Sequence, residues 1–206
     1  GVGIGLHKGE PIELCLEPLE ANSGIVFFRS DLNVSFKAEP ANVINTKLAT
    51  VIGNEKAYIS TIEHLLSAIN AYGIDNVRIV LNANEPPVMD GSSISFCMML
   101  DEAGLRELDE PKKILVIKKT IEVKDGDKFV RITPTNEPRI NYTIKFDNAL
   151  IGEQHYSFEF SKKNYIEEIA RARTFGFLKD VETLRAMNLA LGGSLENTVV
   201  LDDNRI

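Results

Sequence analysis

The order in which apolar periodicity changes along the chain limits its fold more than any other feature. As far as Gly53 the sequence reads as strands: IELCLEPL, GIVFFR after a Ser-Gly turn, VSFKA and LATVIG. Alternation at period two puts every second side chain on one face, as a half-buried strand requires. A helical period then runs from about Ser60 to Tyr72 and is closed by Gly73. A strand (NVRIVLNA, 76–83), a loop of turn formers (NEPPVMDGSS) and a second helix over 93–103 closed by Gly104 follow. Glycine just past the last periodic residue is the ordinary helix stop.

The charged stretch RELDEPKK (106–113) interrupts this pattern, and beyond it the pattern starts again. KILVIKKTIEV, KFVRITP across an Asp-Gly turn, RINYTIKFD and YSFEFS read as strands, and KKNYIEEIARAR as a helix. Strands followed by helices, twice over, predict an α+β protein of two domains with similar plan, 1–108 and 109–206. Residues 175–200, FGFLKDVETLRAMNLALGGSLENTVV, read as a short helix, a Gly-Gly turn and a strand inserted into the second domain. No close sequence repeat relates the two halves.

Composition excludes some partners. The chain has 206 residues, enough to bury a sizeable core, and a formal charge of −7. That charge argues against nucleic acid or an anionic membrane as the main partner, though a local basic pocket could still hold one phosphorylated ligand. Cys15 and Cys97 are the only cysteines; each lies in a mostly apolar stretch, so they suggest a reducing cytoplasm rather than a disulfide framework. No stretch approaches the ~20 apolar residues of a membrane span. The opening GVGIGLHKG lacks a methionine and looks like the middle of a strand and turn, and TVVLDDNRI stops just after a strand. The chain therefore reads as a segment cut at both ends.

Chemistry enters with ISTIEHLLSAINAYGID (59–75), which sets Glu63 beside His64 near a helix start. One reading is punctuation. Ser60 and Glu63 have the spacing of a capping box, and a glutamate in the first turn favours the helix dipole. The other reading is catalysis. Ile62, Leu65, Leu66 and Ile69 share the core face, whereas His64 points nearly opposite, above the small residues Ser67, Ala68 and Ala71. Such a stripe can be approached closely by another element or a ligand. Imidazole is a common zinc ligand and a neighbouring carboxylate can take a proton from water, but catalytic zinc needs about three protein ligands. The three histidines, His7, His64 and His155, show no ligand spacing.

Five segments carry a resemblance: GVGIGLHKGEP, ISTIEHLLSAINAYGIDN, VMDGSS, IARARTFGF and LALGGSLENTVVLDD. Together they resemble the UDP-3-O-acyl-N-acetylglucosamine deacetylases, zinc hydrolases of lipid A biosynthesis in Gram-negative bacteria, over essentially the whole chain. The resemblance implies two domains, each a sheet packed with helices in a two-layer β-α-α-β sandwich, with the active site between them. It implies Glu63 as general base, His64 as a ligand of Zn2+, and Thr174 as the hydroxyl that meets the oxyanion. It implies an apolar passage for the acyl chain lined by Phe175, Phe177, Leu178, Val181, Leu184, Leu195 and Val200, with Gly193 and Ser194 leaving width. Leu48, Thr50 and Phe146 match positions near the sugar. His7 and the loop from Asp90 to Ser93 match too and are assigned to the fold; His155 and Cys97 are read as structural or surface residues.

The resemblance also implies a departure. The family's other two zinc ligands, a histidine and an aspartate one helical turn apart, a neighbouring lysine and the general-acid histidine have no counterpart in residues 1–206. The segment alone is therefore expected neither to bind zinc tightly nor to turn over, while the full-length protein is expected to be a monomeric cytoplasmic enzyme. Two rivals remain: a non-catalytic lipid- or nucleotide-sugar-binding fragment, and a carrier in which Glu63 and His64 are purely structural.

Overall fold

The computed structural model describes residues 1–202; Asp203, the last residue of the LALGGSLENTVVLDD motif, lies outside them. The protein is α+β. The first part is a five-stranded sheet in the order β1-β2-β8-β3-β4, formed by β1 (Val2–Ile4), β2 (Pro11–Pro18), β3 (Ile25–Arg29), β4 (Val34–Lys37) and β8 (Val77–Leu81). All neighbours are antiparallel except β3 and β8, which run parallel with Phe27 opposite Ile79. A smaller antiparallel sheet holds β5 (Val43–Asn45), β6 (Val51–Gly53) and β7 (Tyr58–Ile59). Between β7 and β8 lies α1 (Glu63–Ala71), and α2 (Ile94–Ala103) follows the turn-rich loop.

Alternation explains the buried face. Val77, Ile79 and Leu81 of β8 point inward and meet Phe27 of β3, Ile12 and Leu14 of β2, and the inner faces of both helices. Leu65, Ala68 and Ile69 of α1 are fully buried, as are Phe96 and Cys97 of α2. Burying each large apolar side chain contributes roughly 1.5–3 kcal/mol, so this layer is the principal source of stability. Phe158, Tyr165 and Ala170, distant in sequence, join the same cluster.

Arg29 ties the two sheets together. It is 7% exposed; one guanidinium nitrogen donates to the Tyr58 carbonyl (2.8 Å) and two others to the Asp31 carboxylate (2.9 and 2.6 Å). This bond holds the Asp31 carboxyl below its ordinary 3.8. A carboxyl depressed on folding stabilises above its unfolded pKa, and that stability is lost as pH falls through the folded value. Asp31→Asn is expected to cost about 1–2 kcal/mol at neutral pH, the low end for a charged hydrogen bond because the carboxylate is partly solvated. Urea unfolding at pH 7 and pH 3 checks this. The difference between variant and parent should shrink at the lower pH.

The later elements are β9 (Ile121–Asp125) and β10 (Lys128–Ile132), β11 (Arg139–Lys145) and β12 (Glu153–Glu159), and the parallel pair β13 (Phe175–Phe177) and β14 (Val199–Leu201), with α4 (Leu178–Ala186) between the last two. The Asp-Gly turn predicted within this region joins β9 to β10, with Gly126 at φ +61°.

Three expectations require correction. The strand predicted over KILVIKKTIEV begins only at Ile121. Four consecutive apolar residues, Ile114 to Ile117, have no alternation, and they acquire no ladder partner in the structure. The predicted helix KKNYIEEIARAR contracts to α3 (Lys162–Asn164) followed by a π-helical turn, Tyr165–Ile169, in which the Ala170 N–H reaches back to the Tyr165 carbonyl. The strand expected from Leu48 starts at Val51, because Leu48 adopts a left-handed conformation (φ +68°).

Candidate active site

Helix α1 begins at Glu63 rather than Ser60, and the capping box does not form. Thr61 is left-handed (φ +56°), which turns the chain sharply before the helix and takes the Ser60 hydroxyl away from the helix end, to Thr61 Oγ1 at 3.2 Å. Glu63 therefore occupies the first helical position and is released from capping. Its Oε1 instead accepts a hydrogen bond from the backbone N–H of Thr50. This contact joins the first turn of α1 to the loop carrying Leu48 and Thr50. Thr50 is half-buried and Leu48 is exposed.

His64 is half-buried. Burial pushes its pKa below the ordinary 6.5, against the opposing pull of the Glu63 and Asp90 carboxylates. The result favours neutral imidazole, the form with a lone pair for a metal or a proton. The small-residue stripe beneath His64 is covered by another element, as its composition suggested. Ser67 donates to the His64 carbonyl (2.8 Å), and its oxygen also meets the Ser93 hydroxyl (3.0 Å) and the Tyr165 hydroxyl (2.6 Å).

Asp90 belongs to the loop before α2, where its carboxylate accepts from the Ser92 hydroxyl at 2.9 Å. The next residue, Gly91, brings in Thr174: the Thr174 N–H donates to the Gly91 carbonyl at 2.8 Å, and the Val199 N–H donates to the Thr174 carbonyl at 3.0 Å. Thr174 does not end a preceding helix; it leads into β13. The structure thus attaches Thr174 to the loop whose aspartate is felt by His64, although 110 positions separate the two residues in sequence.

Phe146, Phe175 and Phe177 assemble, with ring centroids 5.6 Å (Phe146 to Phe175), 5.9 Å (Phe146 to Phe177) and 6.0 Å (Phe175 to Phe177) apart. Val181, Leu184 and Val200 are half-buried, whereas Leu178 and Leu195 face solvent. Gly193 closes one turn, its N–H donating to the Ala190 carbonyl (3.2 Å), and Ser194 opens the next, its N–H donating to Asn197 Oδ1 (2.9 Å). The tight approach belongs to Gly192, where a Cβ would strike the Gly5 carbonyl. A separate groove of about 1130 Å³, lined by Leu16, Tyr72, Met99 and Leu108 among others, contains none of the candidate site residues. His155 lies on β12 with its Nδ1 2.8 Å from the Thr143 hydroxyl, and Cys97 is core.

Among the described residues no group of three or more histidine, cysteine, aspartate or glutamate side chains could hold a metal ion. His64 alone does not fit a catalytic zinc.

A family model described as UDP-3-O-acyl N-acetylglycosamine deacetylase (LpxC) matches residues 1–206. The chain belongs to this family. Proteins named UDP-3-O-acyl-N-acetylglucosamine deacetylase are similar along its whole length: one from Campylobacter jejuni (strain RM1221) is 84% identical over 206 residues, and one from Campylobacter lari is 75% identical. In each case the alignment covers all of this chain and 70% of the relative. A deacetylase from Campylobacter hominis is 70% identical over 205 residues.

One residue that sequence reasoning passed over is bonded to the chain just ahead of the candidate site. Glu85 is buried (1% exposed), and its carboxylate accepts from the backbone N–H groups of His7 (3.0 Å) and Lys8 (2.9 Å). The signal was available. The inward alternation Val77, Ile79, Leu81, Ala83 continues without a break to Glu85.

Proposed function

We propose that this deacetylase-family chain hydrolyses the N-acetyl group of UDP-3-O-acyl-N-acetylglucosamine, as a zinc-dependent enzyme of lipid A biosynthesis working as a monomer in the cytoplasm. The observation that carries the reading is the adjacency of a carboxylate freed from capping, Glu63, and a neutral-leaning imidazole, His64, on one helix turn. No described helix is long and apolar enough to cross a membrane.

In this reading Glu63 accepts a proton from the attacking water as its oxygen bonds to the acetyl carbon. The hydroxyl of Thr174 donates a hydrogen bond to the oxygen on which negative charge develops. The carbon–nitrogen bond then breaks as Glu63 returns the proton taken from water to the leaving nitrogen, and acetate and the free amine are released. The phenylalanine trio of Phe146, Phe175 and Phe177 offers apolar surface for the acyl chain, each buried CH₂ of which contributes roughly 0.8 kcal/mol to binding. Thr50, whose N–H is bonded to Glu63, and Leu48 on the same loop face the sugar.

The described residues do not complete a metal site, so no step here is routed through zinc. The reading assigns the remaining ligands to residues outside 1–206, consistent with relatives of which this chain covers 70%. Acetate release from the UDP-linked substrate is the test. A protein extended to the full length of the relatives is expected to release acetate, to lose that activity to a chelator and to recover it with Zn2+. Residues 1–206 alone are expected to show no turnover and no tight zinc uptake. Turnover unaffected by a chelator would overturn the zinc reading; no turnover by the extended protein would overturn the substrate.

A further inference from the structure

The mechanism above makes no use of Glu85, yet few side chains in the molecule are as thoroughly engaged. A buried carboxylate is costly unless its lone pairs find donors. Among the described residues Glu85 has no ion-pair partner, and its donors are backbone amides and one hydroxyl. Oε1 accepts from the N–H groups of His7 and Lys8, and Oε2 from the His7 N–H (3.2 Å) and the Thr61 hydroxyl (3.4 Å). The tight turn between β1 and β2 creates the amide pair: Gly5 N–H bonds to the Glu10 carbonyl, and Gly9 N–H, with φ +68°, to the Gly5 carbonyl, both at 3.0 Å. The amides of His7 and Lys8 are left pointing inward. Gly5 leaves room for the carboxylate, because a Cβ there would collide with Glu85 Oε1.

Each arm of this clamp leads to a different part of the candidate site. Thr61 is held left-handed two residues before Glu63, so its position sets where α1 begins. The turn of Leu6 and His7 carries the other arm. The Leu6 carbonyl accepts from Gly192 N–H (3.0 Å) and the His7 carbonyl from Leu191 N–H (3.1 Å). Leu191 and Gly192 lie in the segment between α4 and β14, beside the proposed acyl passage.

We propose that Glu85 is a positioning residue for the deacetylation, locking the chain ahead of Glu63 and the Leu191–Gly192 turn into one arrangement through the β1–β2 turn. This rests on the proposed roles of Glu63 and the acyl passage, and touches neither substrate nor metal itself. A carboxylate with both oxygens used can fix several backbone groups at once, and displacements of about 1 Å from afar can cost roughly 10²-fold in rate.

The test uses the extended protein and Glu85→Gln, which keeps the shape and surrenders one acceptor. Amide hydrogen exchange is read alongside acetate release. The expected result is faster exchange at His7, Lys8, Leu191 and Gly192 together, unchanged protection across β8 and α2, and a fall in kcat/KM of roughly ten- to a hundredfold. Exchange that rises only at His7 and Lys8, with kcat/KM within about twofold of the parent, would overturn the proposal. So would a general loss of protection in β8 and α2, which marks an ordinary core residue, unless Thr61→Val, losing only the hydroxyl arm, still lowers kcat with KM and Leu191–Gly192 exchange unchanged. The exchange readout stands apart from the function. If Glu63→Gln leaves acetate release intact, the catalytic reading fails while coupling of the two turns is still decided.

Discussion

Gly91→Ala is expected to destabilise the protein by about 2–5 kcal/mol, combining a left-handed backbone penalty of about 1–2 kcal/mol with overpacking of about 1–3 kcal/mol. Gly91 has φ +81°, and a Cβ there would overlap the Asn197 carbonyl oxygen and lie 2.6 Å from its carbon. Asn197 cannot yield easily. It is buried, its amide nitrogen donates to the Gly192 carbonyl (3.0 Å), and its Oδ1 accepts from Ser194 N–H (2.9 Å) and the Thr198 hydroxyl (3.0 Å). A shift at Asn197 is passed to Val199 and so to Thr174. Gly24→Ala is the control: φ is +78° there, but nothing lies within 4 Å of the added methyl, so only the backbone penalty applies. Denaturant unfolding of both variants separates the two costs. Equal losses would mean that the close approach to Asn197 carries no energy.

Glu63→Gln in the extended protein is expected to lower the rate of acetate release by roughly 10²–10⁴-fold, the usual yield of a positioned general base. The amide keeps the size of the carboxylate and can still accept the Thr50 N–H, but it cannot take up a proton from water. Stability is expected to change far less, by about 0.3–1 kcal/mol, since only the favourable placement of a charge at the helix start is lost. The two readouts therefore part company. A variant that melts like the parent and no longer releases acetate identifies Glu63 as chemistry; one with undiminished release makes it a structural residue.

How much of this was legible depended on the range of the interactions involved. The β8 strand and the α2 helix with its stop at Gly104 follow from local periodicity, and the structure reproduces them within two residues at each end. The start of α1 was misread, because Ser60 and Glu63 carry a local capping signature that a left-handed Thr61 overrides. No local rule places a threonine in that conformation; its hydroxyl bonds to Glu85, 24 positions away. The shortening of the KILVIKKTIEV strand has a similar origin, since strand formation needs a partner that the apolar run does not name. Within the site, Glu63 and His64 stood out by adjacency. The attachment of Thr174 to Gly91 is a backbone bond across 83 positions, and only resemblance brought Thr174 forward. Glu85 was readable from alternation alone and was passed over because charged residues are expected at the surface.

The parallel pairing of β13 with β14 sets Phe175 opposite Val199 and Phe177 opposite Leu201. The segment between them consequently leaves and rejoins the fold at neighbouring points, like a cassette held in a fixed socket. Lengthening a loop whose ends are already side by side costs only about 0.6 kcal/mol per doubling. Residues 178–189, ahead of the Leu191–Gly192 turn bonded to Leu6 and His7 and of Asn197 packed on Gly91, can therefore be exchanged for longer or shorter sequences while the two strands keep Thr174 where it is. Variation in that stretch is in this way uncoupled from the placement of Thr174, and if the proposed acyl passage holds, grafting it between relatives becomes a route to new ligand lengths on an unchanged frame.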